Sequence, residues 1–141
     1  MRTQIEAAIE RSTEATRAQD IDAYMAEVPE DFAVRDESGA LITREQLRDN
    51  VLRDWSVIPK TLAINVTIDS LAVSGGSATV FTSQRWERLM LHRDGTTTDT
   101  VLTTQKHKET WRRRHGSWFA YEIDELGGEV FLNGRRYQPG N

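Results

Sequence analysis

The sequence predicts an α+β fold, with three N-terminal helices packed on a strongly curved antiparallel sheet. Two observations carry that prediction. Up to Pro59 the apolar residues recur at helical spacing, and from Lys60 onward they alternate. Turn signals at Gly75-Gly76, Asp94-Gly95 and His115-Gly116 then cut the second part into four long runs, the pattern of a meander. Helices first and strands afterwards is the order of a sheet covered on one face. Strands this long must twist and coil, so the sheet has a concave side, and a helix-covered concavity is a place for a ligand.

Residues 3–18 place Ile5, Ala8, Ile9, Ser12, Ala15 and Thr16 on one stripe, with charges elsewhere, as a surface helix requires. Ser12 is the polar member of that stripe. Asp20 is placed to cap a second helix whose buried face is Ile21, Tyr24, Met25 and Val28, ended by Pro29. The stretch Asp31 to Asp36 alternates Phe32 and Val34 with Ala33 and Arg35, a brief half-buried strand closed by turn residues through Gly39. Thr43-Arg44-Glu45-Gln46 has the form of a capping box, so a third helix begins there. Its apolar face is Leu47, Val51, Trp55 and Ile58. Leu62, Ile64, Val66 and Ile68 alternate along the first long strand, and Ala78 to Leu91 is its hairpin partner. Thr97 to Arg113 and Trp118 to Leu126 complete the meander, and Asn133-Gly134 marks a small terminal hairpin.

The 141 residues suffice for one domain, read as 1–141, and four Trp, four Phe and three Tyr argue for a folded core. A net charge of −4 gives no reason to expect binding to nucleic acid or to an anionic membrane. The absence of Cys excludes disulfides, thiolate nucleophiles and Cys-based zinc sites, and it fits a cytoplasmic protein. The N-terminal stretch is charged where a signal peptide would be apolar, and no run approaches the roughly 18 apolar residues of a membrane span. Three scattered His offer no metal-ligand spacing, and neither a phosphate loop nor a Gly-x-Ser-x-Gly nucleophile is present, so no cofactor or metal is expected.

The whole arrangement resembles the nuclear transport factor 2-like superfamily, its SnoaL-like and ketosteroid-isomerase-like members in particular. The likeness runs from the first helix to Leu126. It is carried by Asp20-Ile21, by Asp31-Phe-Ala-Val-Arg-Asp36, by Thr43-Arg-Glu-Gln46-Leu47, and by the closing hairpin from Trp111 to Trp118. It implies a pocket between helices and sheet, and an aspartate general base at the position of Asp36. It also implies homodimers formed sheet to sheet. Isomerases of this kind pair their base with an oxyanion hole built from a tyrosine and a protonated aspartic acid. The matching positions here hold Ser12 and, on the third long strand, a residue near Lys108, with Lys106 and Thr110 on the same face. Steroid-type isomerisation is therefore not expected.

Asp36 is the candidate catalytic residue, the alternative being a carboxylate that bonds its own turn at Ser38 or Gly39. Ser12, Tyr24, Val51, Trp55, Trp86, Lys108 and Tyr121 are the candidate ligand-binding residues. Regular alternation puts Phe119, Tyr121 and Ile123 on the inner side of the last long strand. It puts Trp118 outward, with Trp111 beside it and His107 and Glu109 on the same side as Trp111. Two outward tryptophans suggest a covered face, which agrees with a homodimer. The preferred reading is a domain that binds a small, partly apolar molecule. The alternatives are an acid–base isomerase, cyclase or dehydratase using Asp36, and a non-catalytic association module.

Overall fold

The structure is a computed structural model that describes residues 2–137. Helix α1 (Arg2–Ala18) buries Ile5, Ala8, Ala15 and Thr16 of its predicted stripe. Asp20 caps α2 (Ile21–Ala26), accepting from the Ala23 amide at 3.1 Å and so satisfying one of the N–H groups a helix start leaves free. Strands β1 (Ala33–Arg35) and β2 (Leu41–Thr43) pair as a small antiparallel hairpin. At this length β2 shows no period in the sequence, which is why only β1 is legible there. Thr43 opens α3 (Arg44–Ser56) through the full capping box with Gln46. Arg44 turns back to donate to the carbonyls of Met25 and Val28, each at 3.0 Å, and fastens the end of α2 to the start of α3.

The long strands are β3 (Lys60–Ser74), β4 (Ser77–Leu91), β5 (Thr98–Arg114) and β6 (Ser117–Leu132), followed by the short β7 (Arg135–Arg136). Their order in one seven-stranded sheet is β2-β1-β6-β5-β4-β3, with β7 on β6. Strands β3 to β6 form the expected antiparallel meander. Because β1 runs parallel to β6, the sheet is mixed rather than wholly antiparallel. Strand β6 continues past Leu126 through Gly127 and Gly128, two residues that break its apolar alternation and so hid the extension.

Four register irregularities curve this sheet. In β3 they fall between Thr61 and Ala63 and between Ile68 and Ser70. In the β5–β6 pair, Trp111 faces Ala120 while Thr110 faces Glu122, which leaves Tyr121 without a partner. His107 faces Glu125 while Lys106 faces Gly127, which does the same for Leu126. Each such bulge bends its strand and shifts the residues beyond it by one.

That shift corrects the sequence reading. The extra residue at Tyr121 brings Trp118 and Ala120 to the inner side. Trp111 and Trp118 then pack with Ile5, Ala8, Ala78 and Val80 as the core. Tyr121 belongs to the other side, where the Arg112 guanidinium lies 5.4 Å from its ring centroid and Arg114 donates to its hydroxyl at 3.1 Å. His107 and Glu109 follow Trp111 inward. The expectation of two outward tryptophans is thus overturned, and with it the sequence argument for a dimer through that face.

A Cβ on Gly128 would lie 1.8 Å from the Thr104 carbonyl oxygen on the facing strand. Gly128→Ala is therefore expected to cost about 3 kcal/mol of stability, read from the urea midpoint. An unchanged midpoint would mean that β6 yields there without cost. Trp118→Arg, which puts a charge in the core, is expected to prevent folding rather than to change an assembly state.

Candidate functional site

Between α1, the end of α2 and the concave side of the sheet lies a cavity of about 190 Å³. Helix α1 gives it Ala8, Ile9, Ser12, Thr13 and Thr16, and the α2 region gives Tyr24, Val28 and Phe32. The sheet side carries a strip of polar groups. On a strand every second residue shares a face, so β4 presents Thr82, Gln84 and Trp86 while β5 presents His107, Glu109 and Trp111. Pairing sets Thr82 opposite His107.

These side chains form one hydrogen-bonded chain. Trp86 Nε1 donates to Gln84 Oε1 at 3.0 Å. Gln84 Nε2 lies 3.1 Å from His107 Nδ1 and donates to Thr82 Oγ1 at 3.3 Å. Glu109 Oε2 is 3.5 Å from the same His107 nitrogen, and Glu109 Oε1 accepts from Trp111 Nε1 at 2.9 Å. Glu109 is only 5% exposed and Thr82 1%, whereas Gln84, Trp86 and His107 are half-buried. Beside it on β6, Glu125 accepts from Gln105 at 2.7 Å. Burial lifts the Glu125 carboxyl above its usual range. At the rim Glu27 pairs with Arg11.

The sequence-derived residues separate cleanly. Ser12, Tyr24 and Trp86 line the cavity. Trp55 is buried but stands behind Tyr24, edge to face at a centroid distance of 5.8 Å, and Val51 lies on the same helix outside the lining. Lys108 is exposed because β5 alternates without interruption and His107 and Glu109 take the inner side. Tyr121 is turned away by its own bulge.

Asp36 does not reach the cavity. Its Oδ1 accepts from the Ser38 amide at 2.9 Å, the Ser38 hydroxyl at 2.6 Å and the Ala40 amide at 3.0 Å. The Ser38 hydroxyl first, and the turn amides with it, hold its carboxyl below the usual range. A carboxylate committed in this way is a turn staple, and we assign it no proton transfer. Gln84, His107, Glu109 and Trp111 are lining residues the sequence reading left out of the site. Their signal was Trp111 itself: a tryptophan within a long strand marks the buried side, and Glu109 and His107 share its parity. Among the described residues no cluster of His, Asp and Glu is arranged to hold a metal ion, and no helix is long and apolar enough to cross a membrane.

No protein-family model matches the sequence, and no curated protein matches it. Solved structures do. A protein from Novosphingobium aromaticivorans, proposed to be a scytalone dehydratase, is 12% identical with a TM-score of 0.74 over 92% of this chain and 82% of its own. A hexachlorocyclohexane dehydrochlorinase (LinA, type 2) is 15% identical, TM-score 0.69, over 99% and 97%. A nuclear transport factor 2-like protein from Cytophaga hutchinsonii is 13% identical, TM-score 0.66, over 90% and 98%. At these identities the likeness is one of fold.

Tyr24 gives the site a measurable signature. Burial of its hydroxyl, with Asp54's charge second, raises its pKa to about 12. In the unfolded chain a tyrosine ionises near pH 10. The fold therefore keeps its full stability below about pH 10 and loses it as pH rises towards 12, because only the unfolded state ionises readily there. Ultraviolet titration of tyrosinate should show one late step, and Tyr24→Phe should remove both that step and part of the alkaline loss.

Proposed function

The chain has the nuclear transport factor 2-like fold, and within it we propose a binding site for a small, partly apolar molecule in the cavity beneath α1. The observation that carries this reading is the distribution of chemistry around the cavity. On its helix side Ala8, Ile9, Val28 and Phe32 are apolar and the Thr13 and Thr16 hydroxyls are spent on helix carbonyls, while the Gln84–His107–Glu109 strip faces them from the sheet. Apolar walls supply the attraction, and a few placed polar groups orient what enters. Space of about 190 Å³ suits a single substituted ring.

A second reading, general acid–base chemistry at His107, is favoured by one observation. Glu109 Oε2 lies 3.5 Å from Nδ1, near enough to stabilise an imidazolium formed during turnover. Asp36 has no part in it. His107→Leu would then abolish turnover while the binding of ring compounds persisted.

The binding reading is tested by NMR with propiophenone as the probe. Of the four tryptophans, Trp86 and Trp111 line the cavity, whereas Trp55 and Trp118 do not. Saturable shifts of the first two indole N–H signals are expected. Ser12→Phe, which fills the cavity from α1, should weaken them at least about tenfold at an unchanged urea midpoint. Equal shifts in wild type and Ser12→Phe would place the probe elsewhere and overturn the reading.

A further inference from the structure

We propose that Trp86 and Gln84 hold His107 as the neutral tautomer with Nδ1 bare and Nε2 protonated, so that the cavity selects molecules presenting a hydrogen-bond acceptor, a carbonyl oxygen above all. The ligand half of this rests on the binding reading above. The tautomer half does not.

The Trp86 indole has no choice of role. An indole N–H donates and never accepts. Its 3.0 Å contact therefore identifies the facing atom of Gln84 as the carbonyl oxygen; turning the amide over would oppose N–H to N–H. With Oε1 fixed on Trp86, the amide nitrogen is fixed on its other neighbours, Thr82 Oγ1 at 3.3 Å and His107 Nδ1 at 3.1 Å. A donor aimed at Nδ1 demands a lone pair there. A neutral imidazole carries one proton, so that proton sits on Nε2.

The carboxylates around the ring do not undo this. Glu109, next along β5, makes the longer contact at 3.5 Å and has its other oxygen on Trp111. Glu125, opposite on β6, is engaged by Gln105. Glu27, at the end of α2, is paired with Arg11. Nδ1 is thus turned to the sheet, and the protonated edge is what His107, a lining residue, has left for a ligand. A protonated Nε2 cannot take up a proton. The acid–base reading needs a bare Nε2 to take up a proton, so that reading and this tautomer exclude one another.

Heteronuclear NMR of the imidazole nitrogens near neutral pH tests the tautomer without any ligand. Wild type should show Nε2–H, and Gln84→Glu, which replaces the donor by an acceptor, should move a proton onto Nδ1. Either Nδ1–H or an imidazolium in the wild type would overturn the assignment. Selectivity is tested with two probes of one shape, propiophenone and propylbenzene. The ketone should bind about fivefold more tightly, the worth of one neutral hydrogen bond, and His107→Leu should erase the difference. Equal affinities in wild type would overturn the selectivity while leaving the cavity a binding site. If neither probe binds, the binding reading and the selectivity both fail, and the tautomer stands or falls on the nitrogen signals alone.

Discussion

One extra residue in β6 decides what this protein keeps inside. Without the bulge at Tyr121, alternation back from Ile123 would send Trp118 outward and Tyr121 inward. With it, Trp118 joins Trp111 against α1, and Tyr121 moves to the other side of the sheet, where it is buried beside Arg112 and Arg114. Burying a tryptophan is among the larger single contributions a core of this size receives. The bulge also bends β6, and the concavity that results is the space the helices cover.

The core and the cavity share a wall. Ala8 and Trp111 belong to both, so the same packing that stabilises the domain also shapes the surface a ligand would meet. Against that economy stands Glu109, a carboxylate 5% exposed with one indole donor and an imidazole for company. Placing such a group in an apolar wall works against stability. Natural proteins keep that kind of burden mainly where recognition or chemistry uses it.

The sequence disclosed the elements far better than the faces. Caps at Asp20 and Thr43 are local and stereochemical, so they survive in the structure as written. The four long strands are legible because their period is unmistakable, and β2 is not because it is too short to have one. Faces depend instead on register, a long-range property, and no residue near Tyr121 announces the bulge there. Asp36 shows the same limit from another side. A strand-end aspartate followed by Glu-Ser-Gly satisfies a turn as readily as a pocket, and only the position of the chain around it tells which. Alternation put His107 on the same side as Trp111, and that parity held. The true orientation of His107 needed only the premise that Trp111 is buried.

Gln84 and His107 hang on two neighbouring strands, and neither caps a helix or belongs to the packed core. Their letters are therefore free to drift. A lineage could exchange Gln84 or His107 and acquire a different molecular preference without renegotiating the scaffold. Neighbours that keep this architecture while sharing about an eighth of their residues with the chain show how little of the sequence the scaffold itself prescribes.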